Sequence, residues 1–141
     1  MNDVIRGFVG EYRFLSNFWP AEIRVRGVTY PTVEHAFQAC KTLDARERQR
    51  ILACGTPGEA KRAGRTVTLR EDWEDVKLDV MHGIVTAKFR HPVLRARLLG
   101  TGTAELVEEN TWGDVYWGVC RGRGENHLGR ILMQVRANLT P

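Results

Sequence analysis

The stretch Pro31-Thr32-Val33-Glu34-His35-Ala36-Phe37-Gln38-Ala39-Cys40-Lys41 constrains the fold most, because its spacing leaves little choice but a capped helix. Proline holds the approach extended, and Thr32 is the predicted N-cap. Val33, Ala36, Phe37 and Cys40 then recur at i, i+3, i+4 and i+7 as a buried stripe should. Glu34, Gln38 and Lys41 form a second line, one residue or about 100° round the same helix. A carboxylate, an amide and an amine bordering the core could meet a ligand at a cleft wall. Taken alone, however, Glu and Lys at this spacing are more often a solvated face with weak mutual contacts.

The segments around this helix point to a mainly helical α+β fold with a small antiparallel sheet, built as one domain over residues 1–141. Ile23-Arg24-Val25 and Val28-Thr29-Tyr30 flank Arg26-Gly27, the pattern of a short hairpin. Asp44 to Cys54 reads as a second helix closed by Gly55. Thr56-Pro57-Gly58-Glu59 supplies N-cap, proline at the first helical position and glutamate at the capping-box position of a third, which Gly64 ends. Trp73, Val76, Val80, Ile84 and Val85 keep a helical period up to about Phe89, and a further helix covers Pro92 to Leu99. Ala104 to Val107 is a predicted strand. The last helix runs from about His127 to Leu139, with Leu128, Ile131, Leu132, Val135 and Leu139 inward. So few strands exclude a doubly wound sheet with a glycine-rich nucleotide loop.

A chain of 141 residues with 43% hydrophobic and 27% charged content can bury a core without disulfides or metal. Its apolar runs are too short to span a bilayer, so no membrane role is expected. The opening Met1-Asn2-Asp3-Val4-Ile5-Arg6 lacks the layout of a signal peptide. Cys40, Cys54 and Cys120 show no C-x-x-C spacing, so the expected setting is reducing and cytoplasmic. His35, His82, His91 and His127 never fall at metal-ligand spacing, so neither a metal nor another cofactor is expected. The net charge of +4 favours a phosphate-bearing ligand but is too small to mark a nucleic-acid-binding module.

Gly113-Asp114-Val115-Tyr116-Trp117-Gly118 and Gly122-Arg123-Gly124-Glu125-Asn126-His127-Leu128-Gly129 make a glycine-rich, aromatic loop before the last helix. Glycines admit close backbone approach, helix N-termini favour phosphate, and tryptophan faces stack on bases. The loop does not match the P-loop pattern. Trp73 and Trp117 read equally as core aromatics or as base-stacking residues. Arg123 and Asn126 read equally as ordinary turn residues.

In order and spacing these residues resemble the YbiA/NADAR family across nearly the whole chain. The likeness runs through Phe14-Leu15-Ser16-Asn17-Phe18, Tyr30 to Ala39 with Lys41, Ala60-Lys61, Gly64-Arg65, Trp73, Val76-Lys77 and Met81. It continues in Lys88-Phe89, Leu106-Val107-Glu108, Asp114, Trp117-Gly118, Gly124, Asn126, Leu128-Gly129, Leu132-Met133 and Arg136. The resemblance implies an N-glycoside hydrolase fold whose pocket for a ribosyl phosphate is lined by Glu34, Trp73, Asp114, Trp117 and Asn126. On the same basis Glu34, Lys41 and Asp114 are the expected catalytic residues. Asn17, Phe18, Gln38, Trp73, Trp117, Gly118 and Asn126 are the expected substrate-binding ones. Where YbiA-type members tend to read Trp-Gly-Asp-Gly or Trp-Gly-x-Gly, this chain has Trp117-Gly118-Val119-Cys120, a departure that bears on substrate choice.

Two substrates are associated with the family, and both carry ribose C1 on an exocyclic amine of a guanine-like ring. One is ADP-ribose on guanine, the leading expectation here. The other is the set of ribosylamino-pyrimidine phosphates of early riboflavin biosynthesis. A non-catalytic ADP-ribose-binding module is a third possibility, against which the presence of both Glu34 and Lys41 argues. The resemblance further implies ADP-ribosylated DNA or RNA and a cognate ADP-ribosyltransferase toxin as partners. A glycosylamine can open to an imine, so Lys41 could attack C1 and displace the base while Glu34 moves protons. In the rival route Glu34 activates water or stabilises an oxocarbenium-like centre, and Lys41 only binds.

Overall fold

Arg26 and Gly27 both take left-handed backbone, at φ 49° and 83°, which is the geometry a two-residue hairpin turn demands. In chain order the strands are β1 (Val4–Arg6), β2 (Pro20–Val25), β3 (Val28–Thr32), β4 (Glu105–Val107), β5 (Glu109–Asn110) and β6 (Val119–Cys120). The Arg26-Gly27 turn links β2 to β3, paired antiparallel with Val25 opposite Val28 and Ile23 opposite Tyr30. The helices are α1 (Val33–Ala39), α2 (Ala45–Leu52), α3 (Pro57–Ala63), α4 (Trp73–Lys88), α5 (Pro92–Gly100) and α6 (His127–Asn138), with a 3-10 helix over Gly10–Leu15. This computed structural model describes residues 3–139. Met1, Asn2, Thr140 and Pro141 of the expected 1–141 domain lie outside the described residues, as does part of the segment read for a signal peptide.

The described residues divide into two compact units, residues 17–88 and residues 3–16 with 89–139. In the first, α1 is the centre, packed by α2, α3, α4 and both hairpin strands. The expected cap is present: Thr32 Oγ1 accepts from His35 N at 3.1 Å. Val33, Ala36 and Phe37 of the expected stripe are buried, but so are the other residues, all seven of α1. A helix surrounded on every side has no solvated face, so Glu34 and Gln38 enter the core together with Val33, Ala36 and Phe37. Helix α1 also stops at Ala39 with Cys40 as C-cap, so Lys41 stands in the following turn rather than on the helix. Asp44 caps α2 through Arg46 N and Glu47 N. Thr56 caps α3, while Glu59 reaches back to Gly55 N at 2.9 Å. Both patterns were legible from residue type.

The second unit holds two parallel pairs, β1 with β4 and β5 with β6. They pair segments distant in sequence, and two-to-three-residue strands carry no periodicity to announce them. Helix α6 packs on β4 through buried Leu128, Ile131, Leu132 and Val135, whereas Leu139 is the C-cap and only half-buried. Arg136 of α6 donates to Thr101 Oγ1 and Ala104 O at 2.9 and 2.8 Å, tying the helix to the approach of β4. Among the described residues no helix is long and apolar enough to cross a membrane.

Candidate active site

Glu34 is the second residue of α1, where its backbone N–H lacks an intrahelical acceptor and instead donates to Asn17 O at 3.1 Å. This bond fixes the chain before β2 against the start of the helix. The Glu34 side chain is 7% exposed. Gln38, one turn later and 4% exposed, donates from Nε2 to Glu34 Oε1 at 2.8 Å. Among the described residues Glu34 Oε2 has no hydrogen-bond partner in the protein. Burial pushes the Glu34 carboxyl above its ordinary value, and the Gln38 donor with the charges of Lys61, Lys41 and His35 only partly opposes that rise.

Lys41 is half-buried and shifts in the opposite direction. Burial lowers its amine below the ordinary lysine value; Glu34 works against that, and Arg65, Lys61 and Lys77 add to it. Each member of the Glu34 and Lys41 pair favours the ionised form of the other, yet desolvation is the largest influence on both. Burial thus moves both groups in the direction of the neutral form relative to an exposed Glu and Lys.

The other expected residues of this unit surround α1. Trp73, at the start of α4, is 5% exposed and packs on Phe37 with ring centroids 5.1 Å apart. Of the two readings of this indole, core aromatic or base-stacking residue, its burial against Phe37 matches the first. Asn17 donates to Met81 Sδ at 3.7 Å, and Phe18 is 43% exposed. His35, buried next to Glu34, is fully engaged: Nε2 lies 2.9 Å from Cys54 O and Nδ1 lies 2.7 Å from Thr32 Oγ1. A carbonyl can only accept, so Nε2 donates to Cys54 O.

In the second unit the glycine-rich loop is a piece of architecture. Asp114 Oδ1 accepts from Tyr116 N and Trp117 N at 3.1 and 2.9 Å. Asn110 clamps the same turn, giving Nδ2–H to Asp114 O and accepting from Asp114 N. Gly118 lies against β5, where a Cβ would overlap Glu108 O and lie 2.8 Å from Asn110 Nδ2. Asn126 is buried with φ 55°. Its amide donates to Leu106 O at 2.9 Å and accepts from Glu108 N at 3.0 Å. Trp117 joins Tyr116 and His127 in an aromatic cluster with centroids 4.5 to 6.4 Å apart.

The expected phosphate site at the start of α6 is not open. Asn126, His127 and Leu128 donate their N–H groups to Gly118 O, Tyr116 O and Trp117 O, so loop carbonyls occupy the positions an anion would take. The expected site residues thus fall into two groups, Asn17, Phe18, Glu34, Gln38, Lys41 and Trp73 in one unit and Asp114, Trp117, Gly118 and Asn126 in the other. Lys88 had no role in the sequence reading. It is 1% exposed, and its place at i+7 from Met81 and i+3 from Val85 on the inward face of α4 was the available signal.

The family model for the NADAR domain matches residues 7–140. The chain belongs to the NADAR family. The N-glycosidase YbiA of Escherichia coli K12 is 45% identical to this NADAR chain over 99% of its length and 91% of the relative's. The NMR structure of the E. coli protein YbiA superposes with a TM-score of 0.84 at 44% identity, covering 98% of this chain and 86% of that one. That likeness bears out the α+β class. A riboflavin biosynthesis protein of Vibrio vulnificus is 41% identical over 89% of the NADAR chain, which corresponds to 35% of that longer protein.

Proposed function

We propose that this NADAR chain is a hydrolase of N-glycosidic bonds that cleaves ribose C1 from an exocyclic amine of a guanine-like base, releasing ADP-ribose from guanine. The observation that carries this reading is the buried Glu34 carboxyl and the half-buried Lys41 amine, both driven towards their neutral forms. Glycosylamines suit that pair. Protonation of the ring oxygen opens the sugar to an imine between C1 and the base nitrogen. The Lys41 amine adds to C1, the base nitrogen takes a proton and leaves with the C1–N bonding electrons, and an imine to Lys41 remains. Water then adds to C1 and releases the lysine and the sugar aldehyde. Glu34 can donate the proton on ring opening and recover it later, the work of a general acid–base with an elevated pKa. The positive charges of Lys61, Arg65 and Lys77 act on Lys41, which supports a substrate bearing a pyrophosphate, such as ADP-ribose on a guanine of DNA or RNA.

A second substrate has a specific observation behind it. The Vibrio vulnificus relative and a chloroplastic relative from Zea mays, 40% identical over 88% of the chain, carry names in riboflavin biosynthesis. The ribosylamino-pyrimidine phosphates of that pathway contain the same C1 to exocyclic amine bond. Incubating the pure protein with ADP-ribosylated guanine DNA and, separately, with such an intermediate, and following base release, tests both. Borohydride added during turnover should leave a sugar-derived mass on the peptide containing Lys41. Full activity in Lys41→Arg with no trapped adduct would refute the covalent route, since a guanidinium keeps the charge but does not readily form the imine.

A further inference from the structure

Gly64 stands at the end of α3 with φ −61° and ψ −20°, right-handed helical backbone that any residue adopts. It is therefore not the left-handed glycine that commonly ends a helix. Alanine would be favoured over glycine in such backbone, so neither a turn nor a positive φ explains the residue. Its surroundings do. A Cβ built on Gly64 would overlap Gln38 Oε1 and lie 2.6 Å from Gln38 Cδ and 3.1 Å from Cγ. Those are the nearest atoms to it, and they belong to the one side chain that donates to Glu34.

Gln38 Oε1 is also the buried polar side-chain atom left without a hydrogen-bond partner among the described residues. A buried acceptor facing a glycine Cα is unfavourable and calls for a reason. Turning the amide over would set Gln38 Oε1 in place of Nε2, 2.8 Å from Glu34 Oε1, and would remove the donor that now meets that oxygen. The orientation is set by the Glu34 acceptor, and the orphaned carbonyl follows from it. We infer that Gly64 is a positioning residue: by lacking a side chain it lets the Gln38 amide seat against Glu34 Oε1, so that Oε2 is the oxygen offered to the substrate. This rests on the reading of Glu34 as the proton-transfer group. The charged groups acting on that carboxyl are Lys61 of α3, Lys41 beyond α1 and His35 of α1 itself, and none of them is altered by changing Gly64 or Gln38.

The test is a double-mutant cycle on Gly64→Ala and Gln38→Ala in the full chain, read by carbon NMR of labelled glutamate carboxyls. The Glu34 signal is assigned by its loss in Glu34→Gln. Each single variant should move the Glu34 titration upward, because the donor to Oε1 is displaced or removed. In the double variant Gly64→Ala should add nothing to the effect of Gln38→Ala, since the clash partner is gone. An unmoved titration in Gly64→Ala, or a further shift of equal size in the Gln38→Ala background, overturns the inference. If Gly64→Ala alone does not fold, a folded double variant supports the seat and an unfolded one overturns it. None of these readouts uses substrate. A wild-type protein that releases no base while the cycle holds would count against the N-glycosidase reading and leave the seat standing.

Discussion

Replacing Asn126 by alanine should destabilise the protein strongly rather than weaken substrate binding. Residues Glu105 and Val107 of β4 face β1, through Asp3 O to Glu105 N and Gly7 N to Val107 O. Leu106 O and Glu108 N therefore point to the other side of the strand. The Asn126 amide meets both, at 2.9 and 3.0 Å, as the peptide group of another strand would. Alanine leaves these two backbone groups without partners, at about 1–3 kcal/mol each. It must also hold the left-handed φ of 55°, which costs a non-glycine, non-asparagine residue about 1 kcal/mol more. The sum is roughly 3–7 kcal/mol, a large share of a typical domain stability of about 5–15 kcal/mol. Urea denaturation followed by tryptophan fluorescence should show the midpoint falling by roughly 1–3 M at unchanged slope. Asn126→Gly, which relieves the backbone strain but not the lost bonds, should recover about 1 kcal/mol of this. A wild-type midpoint in Asn126→Ala, accompanied by a raised KM, would refute the strand-mimic role and return Asn126 to the substrate.

Glu34→Gln should retain the fold and lose at least about 100-fold in the rate of base release; near-normal turnover would remove Glu34 from proton transfer. Because burial raises the Glu34 carboxyl, the native state holds its proton more tightly than the unfolded chain does. Its stabilising contribution is thus full below the ordinary value of 4.5 and declines as pH rises through the native value. The wild type should accordingly lose stability relative to Glu34→Gln as pH rises from 4.5 to the native value in paired denaturation curves, and parallel curves across that range would contradict the sign. Lys41, lowered by burial, acts the other way round: its destabilising effect is present while the amine is charged and is relieved as pH climbs towards 10.5. Trp73→Ala should reduce stability by about 3–5 kcal/mol, the usual loss for a large buried aromatic, since its ring is 5% exposed and set against Phe37. An unchanged melting temperature with weakened ligand binding would restore the stacking role.

Local chemistry made much of this molecule legible in one dimension. Thr32, Asp44 and Thr56 announce helix starts because a short side-chain oxygen meets otherwise unpaired backbone N–H groups. Arg26-Gly27 announces the hairpin because few residue pairs tolerate two left-handed positions. The likeness of the Tyr30 to Lys41 segment to a known family similarly singled out Glu34, Gln38 and Lys41. What sequence spacing could not convey was the surroundings. It placed Glu34 at the edge of a cleft, whereas packing by three helices and a hairpin buries α1 on all sides, and that desolvation is what raises Glu34 and lowers Lys41. It read Gly64 as a helix stop, although the residue that needs the space is Gln38, far along the chain. The hydrogen bonds that Asp114 and Asn126 make were not legible either, because an oxygen or amide shows its partners only once the segments it bridges have met. Caps and turns depend on neighbours within a few residues; burial, proton affinity and hydrogen-bond partners across the fold depend on which distant segments exclude water together, and only the tertiary structure decides that.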